Sequence, residues 1–133
     1  MDARAKNVMD ECTKGSDEER MTFPEVVMKL ASAGVERYRA DLVRADKVYY
    51  LPNGESHLTP THRIERAPAV AFDATRVEAA VRAIQAGKIK YREFCVHIMD
   101  AGCVDYIVSI AGRRAVYFGR TGESYVEPFP AAR

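Results

Sequence analysis

Two tyrosines and two glutamates recur 68 residues apart in this chain: Tyr49 with Tyr117, and Glu55 with Glu123. A tyrosine joins an apolar ring to a polar tip, so a pair of them could wall a groove for a ligand or a partner protein. Two glutamates brought together could share a proton, hold a metal ion, or divide acid and base roles between them. Gly112-Arg113-Arg114 and Arg120 add a small basic cluster at two turns, with Arg114 a candidate for holding an anion. Each feature has a plain alternative. Strand tyrosines can join a core or cover a sheet edge, a glutamate leaving a hairpin turn is commonly solvated, and turn arginines commonly serve solubility.

These pairs belong to a longer repeat. Sliding the sequence by 68 residues lays Phe23–Pro60 on Tyr91–Pro128 without a gap, and 10 of the 38 pairs are identical. Chance would give roughly two or three. The identities include Ala33/Ala101, Gly34/Gly102, Tyr38/Tyr106, Val48/Val116, Gly54/Gly122, Ser56/Ser124 and Pro60/Pro128. The pattern reads as an internal duplication.

The elements that must position these residues follow from hydrophobic period. Ala5, Val8, Met9 and Cys12 fall at i, i+3, i+4, i+7, the stripe of a short amphipathic helix that Gly15 and Ser16 would end. The SDEER run after it reads as a solvated linker. Thr22 and Glu25 make a capping box, with Pro24 harmless in the first turn. Phe23, Val26, Val27, Leu30 and Ala31 form the second stripe, and Gly34 stops it. The period then falls to two. Tyr38, Ala40 and Leu42 alternate with charged residues, Arg44 to Asp46 turn, Lys47 to Leu51 form a second strand, and Pro52-Asn53-Gly54 turns into a third at Glu55–Thr59.

Residues 61–72 have no counterpart in the second copy and read as a crossover. Beyond them Asp73 or Thr75 offers an N-cap, the latter in a second capping box with Glu78. Val77, Ala80, Val81 and Ile84 then form a helix stripe ended by Gly87. Tyr91, Phe94, Cys95, Ile98 and Met99 repeat the second stripe before three further strands. The expected fold is α+β: a helix–helix–strand–strand–strand unit, internally duplicated, with an antiparallel sheet, helices on one face and a pseudo-twofold axis. It forms a single domain, 1–133, of two pseudo-repeats (about 1–60 and 73–128) joined by the crossover at 61–72. The doublets Tyr49-Tyr50 and Tyr117-Phe118 leave open which sheet face is buried.

Other chemistry is thin. His57 and Glu55 would share a strand face with His62 nearby, but Tyr125 stands at the position of His57 in the second copy, and no metal or cofactor is expected. Cys95 and Cys103 stand where the first copy has Val27 and Val35, and read as small buried hydrophobes. No catalytic residue is nominated by a Ser/His/Asp order or a phosphate-binding glycine loop.

Composition narrows the rest. A net charge of +1 with signs interspersed argues against nucleic acid or an anionic membrane as partner. No apolar run approaches the ~18 residues of a membrane span. MDARAKNVMDEC lacks the apolar region of a secretory signal. Three cysteines without a C-x-x-C pair suit reduced thiols in the cytoplasm.

VMDECTKGSDEERMTFPEVV, GVERYRADL, KVYYLPNGESH, AIQAGKIKYREFC and AGCVDYIVSIAGRRAVYFGRTGE together resemble the bacterial YbcV-like family, a domain-of-unknown-function family of small proteins often labelled "phage envelope protein". The resemblance spans nearly the whole chain and implies no established activity or catalytic residue.

The leading expectation is a cytoplasmic binding module for a small molecule or a protein, using a groove between the two repeats lined by Tyr49, Tyr117, Glu55, Glu123 and Arg114. One alternative is an enzyme with Glu55 or Glu123 as acid or base and a tyrosine assisting. Another is a structural homodimer that pairs strand edges.

Overall fold

The protein is described by a computed structural model covering residues 1–130. Four helices and six strands follow in the order α1 (Ala3–Asp17), α2 (Phe23–Ser32), β1 (Arg37–Asp41), β2 (Asp46–Tyr50), β3 (Ser56–Pro60), α3 (Ala74–Gln85), α4 (Tyr91–Asp100), β4 (Cys103–Ser109), β5 (Arg114–Gly119) and β6 (Ser124–Pro128). The fold is α+β, and both halves run helix–helix–strand–strand–strand.

The strands make one antiparallel sheet in the order β3-β2-β1-β4-β5-β6. The halves meet through β1 and β4, whose register pairs Arg37 with Ser109, Arg39 with Ile107 and Asp41 with Asp105. Because Arg39 and Ile107 are equivalent in the 68-residue repeat, this ladder is centred on itself. The outer strands β3 and β6 are five residues each and end in Pro60 and Pro128.

One face of the sheet carries the core. Tyr38, Ala40, Tyr49, Tyr106, Val108, Ala115 and Tyr117 point into it and meet Met9, Cys12, Val26, Leu30, Val77, Val81, Phe94 and Ile98 from the helices. The capping box forms as the sequence implies: Thr22 Oγ1 accepts from the Glu25 amide, and Glu25 accepts from the Thr22 amide at 2.9 Å.

Two local expectations differ. Gly15 and Ser16 lie inside α1, because Gly15 packs against Met21; an added Cβ would sit 2.3 Å from Met21 Sδ. At α3, Asp73 rather than Thr75 supplies the cap, its Oδ1 accepting from the Arg76 amide.

The crossover is pinned to both halves. The His62 amide donates to Asp17 Oδ2, and Arg63 donates to the Val43 and Arg44 carbonyls. Arg66 grips Asp100 with two bonds of 2.8 and 2.7 Å, and the Ala69 and Asp73 amides reach the Met99 and Ala101 carbonyls. Among the described residues no helix is long and apolar enough to cross a membrane.

Candidate functional site

The sequence leaves the orientation of the tyrosine doublets open, and the structure settles it. Tyr49 is 1% exposed and Tyr117 7%, both under the helices. Tyr49 stacks at 5.3 Å on Tyr38 and shares a hydrogen bond with Thr13, which also bonds Thr59. Tyr117 lies 5.3 Å from Tyr106, the equivalent pair of the second half. The tyrosines therefore build the core and wall no open groove. Where the halves meet there is a hydrogen-bonded ladder.

Glu55 and Glu123 are not brought together either. They follow the β2–β3 and β5–β6 turns, which the strand order and alternating direction put at opposite ends of the sheet, with β1 and β4 between them. At about 4.8 Å per strand the lateral gap alone is ~19 Å, too far to share a proton or a metal ion. Glu55 accepts from the Asn53 amide side chain and pairs with the N-terminal ammonium, which together hold its carboxyl below the usual range. Glu123 accepts from Thr121.

The basic cluster is likewise dispersed. Arg114 bonds the Gly112 carbonyl, Arg113 lies over the Phe129 ring, and Arg120 reaches the Pro68 carbonyl at the other end of β5. His57 bonds Asp10 of α1 rather than facing Glu55. Among the described residues no group of three or more His, Cys, Asp or Glu is placed to hold a metal ion.

Two other features carry the functional interest. The first is the sheet face away from the helices. Register assigns it three rows running across all six strands. The middle row is Leu58, Val48, Arg39, Ile107, Val116 and Val126, apolar at every place but one. Its ends stand open, Leu58 at 47% and Val126 at 44% exposure. One flanking row holds Tyr50, Arg37 and Arg114, with Arg37 lying 3.9 Å over the Tyr50 ring. The other holds Asp46, Asp41, Asp105 and Phe118. The aromatic positions Tyr50 and Phe118 are equivalent in the repeat, whereas the charged ones are inverted: Arg37 corresponds to Asp105, and Asp46 to Arg114. The face is thus apolar along its middle, positive on one side and negative on the other.

The second feature is Lys47, on the core side of β2 and only 2% exposed. Its Nζ sits 4.9 Å from the Tyr91 ring and 5.7 Å from the Tyr38 ring, with no carboxylate in salt-bridge contact among the described residues. Burial lowers its pKa, with Cys95, Asp17 and Cys12 opposing. Burial in turn raises the Cys95 thiol to about 11. Close by, an enclosed cavity of ≈ 20 Å³ lies beneath the crossover, lined by Asp17, Thr61, His62, Tyr91, Arg92 and Cys95. It has room for about one water, far short of the ~300 Å³ of a small-molecule site. A shallow open groove beside it runs between the crossover and α4, past His62, Ile64, Arg66 and Val96.

The profile of a family described as "Protein of unknown function (DUF1398)" matches residues 22–127. The chain belongs to the DUF1398 family. "Uncharacterized protein Rv2012" of Mycobacterium tuberculosis is 31% identical over 112 residues, which are 82% of this chain and 67% of that one. "Uncharacterized protein Mb2035" of Mycobacterium bovis is similar to the same extent. The DUF1398 match begins at the α2 cap and ends in β6, so α1, which gives Met9, Cys12 and Thr13 to the interior, lies outside it.

Sequence reading passed over Lys47 in this DUF1398 chain, although a signal was there. Lys47 shares strand parity with Tyr49, so turning Tyr49 inward turns the lysine inward too, while the equivalent Ala115 shows that the fold does not need it. A buried ammonium costs several kcal/mol that two aromatic faces offset only in part. Lys47→Met should therefore raise stability at neutral pH by about 1–3 kcal/mol. With its folded pKa depressed, the wild-type lysine relieves its penalty only as pH climbs through that value toward 10.5, and the variant should lose this component. Urea titrations of both proteins at neutral and mildly alkaline pH measure it. A Met variant less stable than wild type would mean that the charge itself supports the fold.

Proposed function

We propose that the protein is a binding module whose working surface is the uncovered face of the sheet, and that what it binds is a protein. The observation that carries this reading is the apolar row Leu58–Val48–Ile107–Val116–Val126, which crosses all six strands and is interrupted only by Arg39. An extended apolar patch rimmed by polar residues marks an interaction surface far more often than a solvated one. A flat face of this kind suits a macromolecule, whereas a small ligand needs a concave site. This moves the binding surface away from Tyr49, Tyr117, Glu55 and Glu123, and keeps only Arg114 of the residues first nominated. An enzyme built on Glu55 or Glu123 loses its support with their separation.

A photo-crosslinking residue tests the assignment. Placed at Val116 it should capture protein adducts in cells expressing the chain, while one at Val70, exposed on the crossover, should not. Equal capture at both positions, or none at Val116, would remove the face as a binding surface.

The finer readings rest on the sequence. The affiliation with YbcV-like proteins rests on the wording of the segments quoted above, and their "phage envelope" label names no residue here that could perform such a role. Internal duplication is supported by the 10 identities in 38 and by the matching element order of the halves. A cytoplasmic setting is supported by Cys12, Cys95 and Cys103, all free and buried.

A further inference from the structure

We infer that the occupant of the open sheet face is a second copy of this chain, docked face to face about a twofold axis that lies along the apolar row. The inference rests on the binding role proposed for that face and names its partner. Two orientations bring the apolar rows of two copies together. If the axis runs parallel to the strands, each arginine row meets the other arginine row, and like charges oppose. With the axis along the apolar row, one copy is turned end over end. Its arginine row then lies over its partner's aspartate row, and the reverse holds on the other side.

In this arrangement Arg37 stands over the position of Asp41 in the second copy, with the second copy's Asp46 and Asp105 one strand to either side. Arg114 stands over the second copy's Phe118, where a guanidinium and an aromatic ring attract. Ile107 and Val116 meet their own counterparts on the axis.

Arg39 is the one residue that might oppose the arrangement, since it lies in the middle row. Its guanidinium, however, is drawn to Asp105 in its own chain, off toward the aspartate row. The twofold sends the two Arg39 side chains to opposite sides, so they lean apart.

The inversion of charge between equivalent positions explains why the face is self-complementary. A sheet made of two identical halves would carry the same charge in both flanking rows, and no rotation could then pair opposites. Arg37 against Asp105, and Asp46 against Arg114, break that equality in the sense a twofold contact requires. The face is small: six strands at ~4.8 Å by five residues at ~3.4 Å give about 490 Å² per copy. A total near 1,000 Å² lies at the lower limit of specific interfaces, so the dimer is reversible, and its charged rims make it salt-sensitive.

Sedimentation velocity across a concentration series tests this on the whole chain. The wild type should pass from monomer to dimer, and added salt should shift the transition to higher concentration. Arg37→Asp and Asp41→Arg should each weaken dimerisation by about tenfold or more. Mixed in equal amounts, they should form a heterodimer nearly as tight as the wild-type dimer, because each supplies the charge that the other's partner lacks. Asp41 also accepts the Val43 and Arg44 amides in its turn, so a second variant guards against misfolding. Val116→Cys should form a disulfide-linked dimer on mild oxidation, and Val70→Cys should not. A wild type that stays monomeric with Val116→Cys unlinked overturns the second copy as occupant; crosslinks to other proteins at Val116 would still uphold the face. A dimer indifferent to both charge reversals lies on another surface and overturns the arrangement.

Discussion

Raised above pH 10, the protein should unfold cooperatively within little more than one pH unit. Five tyrosines face the interior, and burial pushes the phenols of Tyr38, Tyr49, Tyr91, Tyr106 and Tyr117 well above their ordinary value. In the unfolded chain each ionises near pH 10. Below that pH both states hold the proton and the contribution is fully present. Above it the unfolded state releases protons that the native state keeps, so stability falls as pH rises. Each tyrosine then contributes a slope of about 1.4 kcal/mol per pH unit, and five together about 7, which rivals the whole stability of a typical domain. The Cys95 and Cys103 thiols, raised by burial to about 11 and about 12, push in the same direction. Lys47 alone opposes them. Circular dichroism and phenolate absorbance should therefore change together in one step. A gradual rise in phenolate signal with the helices intact would show that the tyrosines titrate inside a folded protein, and that water reaches them.

The second large effect concerns two glycines that the repeat makes equivalent. Gly34 and Gly102 follow α2 and α4, with φ of +83° and +91°. Each ends its helix in the left-handed region, where alanine costs about 1 kcal/mol. At Gly34 an added Cβ meets nothing within 4 Å. At Gly102 it would sit 2.3 Å from the Ala71 carbonyl oxygen and 2.8 Å from Phe72 Cα, backbone atoms of the crossover. That stretch is held by the Asp73–Ala101 and Ala69–Met99 hydrogen bonds and cannot slide away without losing them. Gly34→Ala should cost about 1 kcal/mol, and Gly102→Ala about 3 kcal/mol or more once overpacking is added. Urea denaturation of the two variants isolates the crossover contact, because the backbone conformation is common to both. Equal losses would mean that the crossover yields freely.

Much of this fold could be read from local sequence, and most of the working surface could not. The Thr22–Glu25 capping box, the turns at Gly54 and Gly122 and the four helix stripes are all decided within a few residues, so period and turn chemistry reveal them. Tyr49-Tyr50 fails that test. Both residues are apolar, and alternation cannot say which one faces in until helices are laid on one side. Lys47 inherits the same ambiguity. The charged rows are harder still, because Arg37, Ser109 and Arg114 become neighbours only through the register of β1 on β4, which joins residues 66 or more apart. Glu55 and Glu123 mislead for a related reason. Equivalence in a repeat implies symmetry, and a twofold axis through the β1–β4 ladder separates the ends of the outer hairpins as firmly as it relates them.

The prolines that end β3 and β6 also bear on how this protein behaves in crowded solution. A sheet with two live edges can recruit further strands at both, and growth of that kind has no natural stop; it is the geometry of fibres. Here each outer strand is short and closes on a residue that cannot donate to another strand. The repeat supplies that terminator twice, once for each edge. Lateral polymerisation is blunted at both ends, and the apolar row on the face is used up by whatever covers it, so assembly through this sheet is finite by construction.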